Sequence, residues 1–284
     1  MNNIKTVMLM VLMAVIMMLI GGLVGGRTGL TVMLFFALAM NAFSYWCSDS
    51  LVLKWSGAQE ITRDQAPQLY GLIESLAQRD NLPMPKVCII DADEPNAFAT
   101  GRSPEHAAVA VTTGIMRVLD YNELAGVLSH ELSHVKNRDI LTSTIASMMA
   151  TVISYAAQFF MFFGGSSDDD DVNPIAAVAM MLLAPLAASI IQMAISRSRE
   201  YEADKDGGAL CGNPNYLADA LEKIEYYVTH SAPLPEARPA TANMYIVNPF
   251  EGTGKALMKL FSTHPDTADR IARLREQARE MRVR

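Results

Sequence analysis

The amino-acid sequence predicts a mainly α membrane protein, with four transmembrane helices and one cytoplasmic α+β domain that the second transmembrane hairpin splits in two. Three observations predict it. Four long runs carry no charged residue, at 6–26, 28–48, 140–167 and 172–196, and each is long enough to cross a hydrocarbon core of about 30 Å. The chain is 51% hydrophobic with a mean hydropathy of +0.17, a profile that soluble proteins rarely join to such runs. Between and after the runs, the composition returns to that of a soluble domain with helical and strand periodicities. The expected organisation is an N-terminal hairpin at 1–48, a soluble part at 49–139, a second hairpin at 140–196 and a second soluble part at 197–284.

Each element has its own signal. The first run is too long for a signal-peptide core and no Ala-x-Ala site follows it, so it reads as a span. Arg27 punctuates, and the second run ends in Tyr45 and Trp46, residues suited to a membrane interface. Gly21, Gly22, Gly25 and Gly26 either let two helices approach closely or form a glycine-rich turn. Leu69, Leu72, Ile73 and Leu76 mark an amphipathic helix from near Asp64. Lys86 to Asp91 and Ala107 to Thr112 read as strands, with Pro95 to Gly101 as a loop between them. The acidic loop Asp168 to Asp171 lacks Lys and Arg, whereas the opposite flanks carry Lys136, Arg138, Arg197, Arg199 and Lys205. By the positive-inside rule the loop is external and both soluble parts are cytoplasmic. Amphipathic helices are expected over Asn213 to His230 and from about Asp266 onward. A loop is expected at 231–253, and a short helix around Lys255 to Phe261.

The chemistry concentrates in Val127 to Val135, which contains His130-Glu131-x-x-His134. Residues four apart share a helix face, so both imidazoles reach one metal ion. Glu131 lies about 100° round from His130, beside the ion, where it takes a proton from water. Asp120 and Glu123 form a capping-box start, and Leu124, Val127, Leu128, Leu132 and Val135 make the apolar stripe. Zinc is the expected ion, one Zn2+ per chain, because a catalytic zinc takes three protein ligands and leaves a position open.

A third ligand must come from elsewhere. Arg199 to Asp206 offers Glu200 and Glu202 on nearly opposite sides of one helix. The face of Glu200 continues through the small residues Ala203, Gly207 and Gly208, which allow another helix to pack close. That of Glu202 carries Arg199, Lys205 and Asp206 and reads as solvated. Glu200 is therefore the expected ligand. Asp204, one turn on, is placed to accept the other ring N–H of a ligating histidine. Asn137 and Asp139 are explained by hydration where the helix meets the membrane, and His106 and His230 have no partner pattern.

The order of two spans, Pro95-Asn-Ala-Phe-Ala, His130-Glu-Leu-Ser-His134, a hydrophobic hairpin, Glu200-Tyr-Glu-Ala-Asp204 and Ser262-Thr-His-Pro265 resembles the HtpX family of bacterial heat-shock membrane proteases, relatives of the CaaX-prenyl proteases. The resemblance covers nearly the whole chain. It implies a gluzincin-like catalytic domain, a zinc endopeptidase activity with Glu200 as third ligand, and a cytoplasmic active site in the bacterial inner membrane. Implied partners are the lipid bilayer and unfolded or damaged membrane proteins. It also brings His264 and Arg270 forward as contacts for substrate or transition state. Asn96 is a further candidate, because proteases commonly bind extended peptide by adding it to a strand edge.

Composition limits the alternatives. A net charge of -7 without a basic tract argues against a nucleic-acid partner. Cys47, Cys88 and Cys211 are odd in number and widely spaced, which suggests no disulfide framework and a reducing compartment. A transporter would normally place ionisable residues inside its spans, and these runs have none. An inactive adaptor with a structural zinc would usually carry four ligands and need no Glu131. The sequence leaves the oligomeric state open.

Overall fold

A computed structural model describes residues 2–143, 145, 197–230 and 265–283. All but the first residues of the third charge-free run, the fourth run, the acidic loop, the loop expected at 231–253, the short helix expected near Lys255 and His264 therefore lie outside the described residues. The chain is mostly helical and divides into two compact units, 1–45 with 142–196, and 46–141 with 197–284.

Most of the described part of the first unit is α1, Asn2–Trp55, whose last residues belong to the second unit. This helical run folds back on itself at Gly26, where φ is +57°. Two spans result, Ile4–Gly22 and Gly26–Phe43, both apolar and long enough to cross a membrane. Gly21 and Gly29 pack backbone to backbone, so that a Cβ on Gly29 would lie 2.1 Å from the Gly21 carbonyl oxygen. Glycine thus serves both as turn and as close contact, with Gly29 lying against Gly21. Asn41 Nδ2 donates to the Met10 carbonyl at 3.0 Å, tying one arm to the other.

The second unit is a four-stranded sheet packed on helices. In chain order it contains β1 Gln59–Glu60, α2 Pro67–Arg79, β2 Lys86–Ile90, β3 Ala97–Thr100, β4 Ala108–Thr112, α3 Thr113–Val118, α4 Tyr121–Asn137, α5 Arg197–Leu210, α6 Pro214–His230 and α7 Thr267–Val283. The strand order is β1-β2-β4-β3, with β2 and β4 parallel and both outer pairs antiparallel. One face of the sheet turns Val87, Val109 and Val111 toward Leu72, Ile73 and Leu76 of α2, and toward Val127, Leu128 and Leu132 of α4. The other face carries Cys88, Ile90, Phe98 and Ala110 against Val52 and Leu53. This alternation is the period-two pleat of a sheet covered on both sides. Leu217, Leu221 and Ile224 of α6 and Leu274 of α7 close the main core around α4.

Two expectations change here. Ala97–Thr100 is a strand, where the sequence reads as a loop; it pairs with β4 from Ala97↔Val111 to Thr100↔Ala108. Ala-Phe-Ala-Thr carries little β-branching, so its pairing is decided by β4 beside it rather than by propensity. The helix expected near Asp64 begins at Pro67, where the missing N–H of proline costs nothing in the first turn.

Candidate metal centre

α4 is the axis of the second unit. Its start is a complete capping box: Asp120 Oδ1 accepts from Glu123 N at 2.9 Å, and Glu123 Oε2 accepts from Asp120 N at 2.9 Å. Lys223 Nζ from α6 donates to the same Glu123 carboxylate at 2.8 Å. The helix is wrapped by neighbours, so that every residue from Glu123 to Ser133 is buried. A helix so enclosed holds its side chains in fixed directions.

Two of those side chains meet. The rings of His130 and His134 lie edge to face at 88°, and their Nε2 atoms are 3.2 Å apart. Glu200 of α5 completes a triangle, with Oε2 3.7 Å from His130 Nε2 and Oε1 3.5 Å from His134 Nε2. An ion bonded to tetrahedral donors at about 2.0–2.1 Å would hold them about 3.3–3.4 Å apart. The three observed separations bracket that edge, so this donor set fits a four-coordinate divalent metal with one position left over. Glu200 is buried and Glu202 is exposed. The close approach comes from Gly207, where a Cβ would lie 2.7 Å from His130 N and 2.8 Å from His130 Cα.

Each histidine has a carboxylate behind it. His130 Nδ1 lies 2.9 Å from Asp204 Oδ1, an approach too bent for a well-aligned hydrogen bond but close enough for a strong charge contact. Asp204 in turn receives Arg270 in a two-point pair, Nε to Oδ2 at 2.8 Å and Nη2 to Oδ1 at 2.7 Å. Burial alone would raise the Asp204 carboxyl, but Arg270 and His130 hold it well below the usual carboxylate range. Burial likewise opposes the charge on Arg270, and Asp204 with the other carboxylates more than restores it. Arg270 is 1% exposed. Its guanidinium pairs with Asp204 behind His130 and so bears on the site through that carboxylate.

His134 has Asp139, with Oδ2 3.3 Å from Nδ1. Burial works against a charge on His134, yet Glu200, Asp139 and Glu131 together push its pKa up to about 9. Asp139 is 5% exposed, so hydration at a membrane junction does not account for it. Arg199 is 8% exposed and reaches to 3.9 Å from Asp139 Oδ1. It is therefore a site-side residue and not part of a solvated face. Arg199 lies about 100° from Glu200 on the helix, and its long side chain spans that angle.

Glu131 stands beside the donors, 8% exposed, and its Oε2 accepts from Ala99 N at 2.9 Å. Pairing parity explains this bond. Thr112 N donates to Asn96 O at 2.9 Å, so Asn96 faces β4, and the backbone groups of Ala97 and Ala99 point to the outer edge of β3, which has no strand beside it among the described residues. Asn96, itself buried, heads that edge. Arg138, left-handed at φ 57°, ends α4 and donates its N–H to the His134 and Val135 carbonyls.

The chain is similar to known proteins. The sequence profile of peptidase family M48 matches residues 63–278. A protease HtpX homologue of Burkholderia multivorans is 55% identical over 283 residues, 98% of each chain, and one from Burkholderia ambifaria matches equally. The crystal structure of Ste24p from S. mikatae aligns with 86% of this chain and 57% of that one, at TM-score 0.50 and 19% identity, which is a likeness of fold.

Proposed function

The chain belongs to peptidase family M48 and is a membrane metalloprotease, and from its site we propose a zinc endopeptidase that cleaves extended peptide at the cytoplasmic membrane surface. The observation that carries this reading is the convergence of His130, His134 and Glu200 next to Glu131 and the outer edge of β3. Two imidazoles and a carboxylate in a near-tetrahedral half-shell suit zinc, which when bound supplies Lewis acidity to a carbonyl and acidifies water.

The chain's own groups supply the rest. A peptide laid along β3 pairs with the outward backbone of Ala97 and the carbonyl of Ala99, whose N–H is held by Glu131, and Asn96 at its head meets the peptide backbone. The Ala99 N–H fixes the Glu131 carboxylate at the point where that edge reaches the histidines. Glu131 removes the proton of the attacking water as its oxygen bonds to the carbonyl carbon. It then passes that proton to the departing amine as the C–N bond breaks. Glu131→Gln in detergent-purified protein should keep its zinc and lose about 100- to 10,000-fold in cleavage of a casein-like chain. Unchanged turnover with unchanged zinc would remove Glu131 from the chemistry.

The cellular setting extends the reading. Residues 140–196 form the second of two membrane hairpins, giving four spans in a bacterial inner membrane, and the substrates are damaged or misfolded membrane proteins. The charge asymmetry around the acidic loop supports the orientation. An impermeant thiol reagent should label a cysteine at Asp170 on intact cells; labelling only after lysis would reverse it. The loaded enzyme should cleave an unfolded membrane protein faster than its folded form, and equal rates would count against a quality-control role.

A further inference from the structure

We propose that Asp139 is a positioning residue of the metal centre, fixing the ring of His134 with Arg199 as its counter-charge. The inference rests on reading His134 as a ligand through Nε2. An imidazole that ligates through Nε2 carries its proton on Nδ1 and needs an acceptor there to hold its tautomer and plane. Asp139 Oδ2, at 3.3 Å, is that acceptor. The chain builds the contact locally: Arg138 takes a left-handed conformation, which any residue with a Cβ adopts only at a cost, and the carboxylate five residues beyond His134 comes against its ring.

The arrangement repeats what stands behind the other ligand. His130 is backed by Asp204 and Arg270, and His134 by Asp139 and Arg199. In both, a buried carboxylate sits between an imidazole and a guanidinium, so neither carboxylate is left as an isolated buried charge. The second set also joins the two ligand helices, since Asp139 follows α4 and Arg199 immediately precedes Glu200 on α5. One cation therefore ties the orientation of His134 to the helix that brings the third donor.

The test uses the full chain in detergent, with zinc affinity measured by chelator competition and unfolding followed without metal. Asp139→Ala should weaken zinc about 10- to 100-fold. Asp139→Asn, whose amide oxygen still accepts from Nδ1–H, should recover most of that loss. The alanine and asparagine variants should melt alike when zinc-free, and below wild type, because both leave Arg199 and the protonated His134 without that counter-charge. Asp139→Ser keeps a polar group after the helix but cannot reach Nδ1, and it serves if the alanine variant does not fold. Wild-type zinc affinity in Asp139→Ala would overturn the proposal. So would equal zinc loss in the alanine and asparagine variants, which marks a residue that acts through its charge on the fold and not by accepting from Nδ1–H. Failure of wild type to bind zinc, or tight binding by Glu200→Ala, would instead sink the ligand reading beneath it.

Discussion

Replacing Gly207 by alanine perturbs the site without touching a donor. The new Cβ would lie 2.7 Å from His130 N, 2.8 Å from His130 Cα and 3.0 Å from Ser129 C. All three are backbone atoms of a fully enclosed helix and cannot step aside. Restoring ordinary contact at about 3.5–4.0 Å requires α5 to retreat by roughly 1 Å. Glu200 lies two turns earlier on the same face, so it retreats by a similar distance. Its oxygens, now 3.5 and 3.7 Å from the histidine nitrogens, would stand near 4.5 Å, well outside the ~3.3 Å edge of a zinc tetrahedron. We expect a stability loss of about 1–3 kcal/mol from overpacking and zinc binding weakened by at least about tenfold, or ~1.4 kcal/mol. Gly208→Ala is the matched control, because its Cβ meets side chains, Pro214 Cβ at 3.0 Å, Gln277 Oε1 at 3.1 Å and Leu274 Cδ2 at 3.3 Å. Chelator competition and denaturant unfolding of both variants decide the matter. A folded Gly207→Ala protein with wild-type zinc affinity would refute the link between helix spacing and metal.

Two other outcomes follow from the same geometry. Arg270→Ala leaves Asp204 buried without its cation and should cost about 3–5 kcal/mol, read as a fall in the unfolding midpoint of the zinc-free protein; a change under about 1 kcal/mol would mean that water replaces the guanidinium. The raised pKa of His134, about 9 in the metal-free fold against an ordinary 6.5, sets a pH dependence. Its protonation stabilises the metal-free protein fully below about pH 6.5, and this contribution is lost as pH rises through about 9. Because zinc must displace that proton, apparent zinc affinity should climb across the same window and level off above it. Zinc affinity that stays flat from pH 7 to 9 would contradict the shift.

What was legible in the sequence is what local rules encode. The capping box of Asp120 and Glu123, the stripe through Leu128 and Leu132, and the four-residue step from His130 to His134 all operate within one helix. The phase that favours Glu200 over Glu202 does too. Strand β3 escaped because Ala97 to Thr100 has no strong preference and takes its form from β4. Asp139 escaped because its partner depends on a left-handed turn at Arg138, and arginine does not announce one. The pairing of Arg270 with Asp204 joins residues 66 apart in sequence, and no local pattern links them. Arg199 misled because helical phase treats a long side chain as though it ended at Cβ.

The metal centre is divided along the chain, and that division orders its biosynthesis. His130 and His134 leave the ribosome 70 and 66 residues ahead of Glu200, with the whole 140–196 segment still to be made. A nascent chain that stalls in that interval carries two donors and no third. Arg270, which holds Asp204 ionised behind His130, arrives last of all, on α7. The apolar side of α4 waits as well, since Leu217, Leu221 and Leu274 cover it only from the second half. A half-made or truncated chain thus contains the motif but no complete centre.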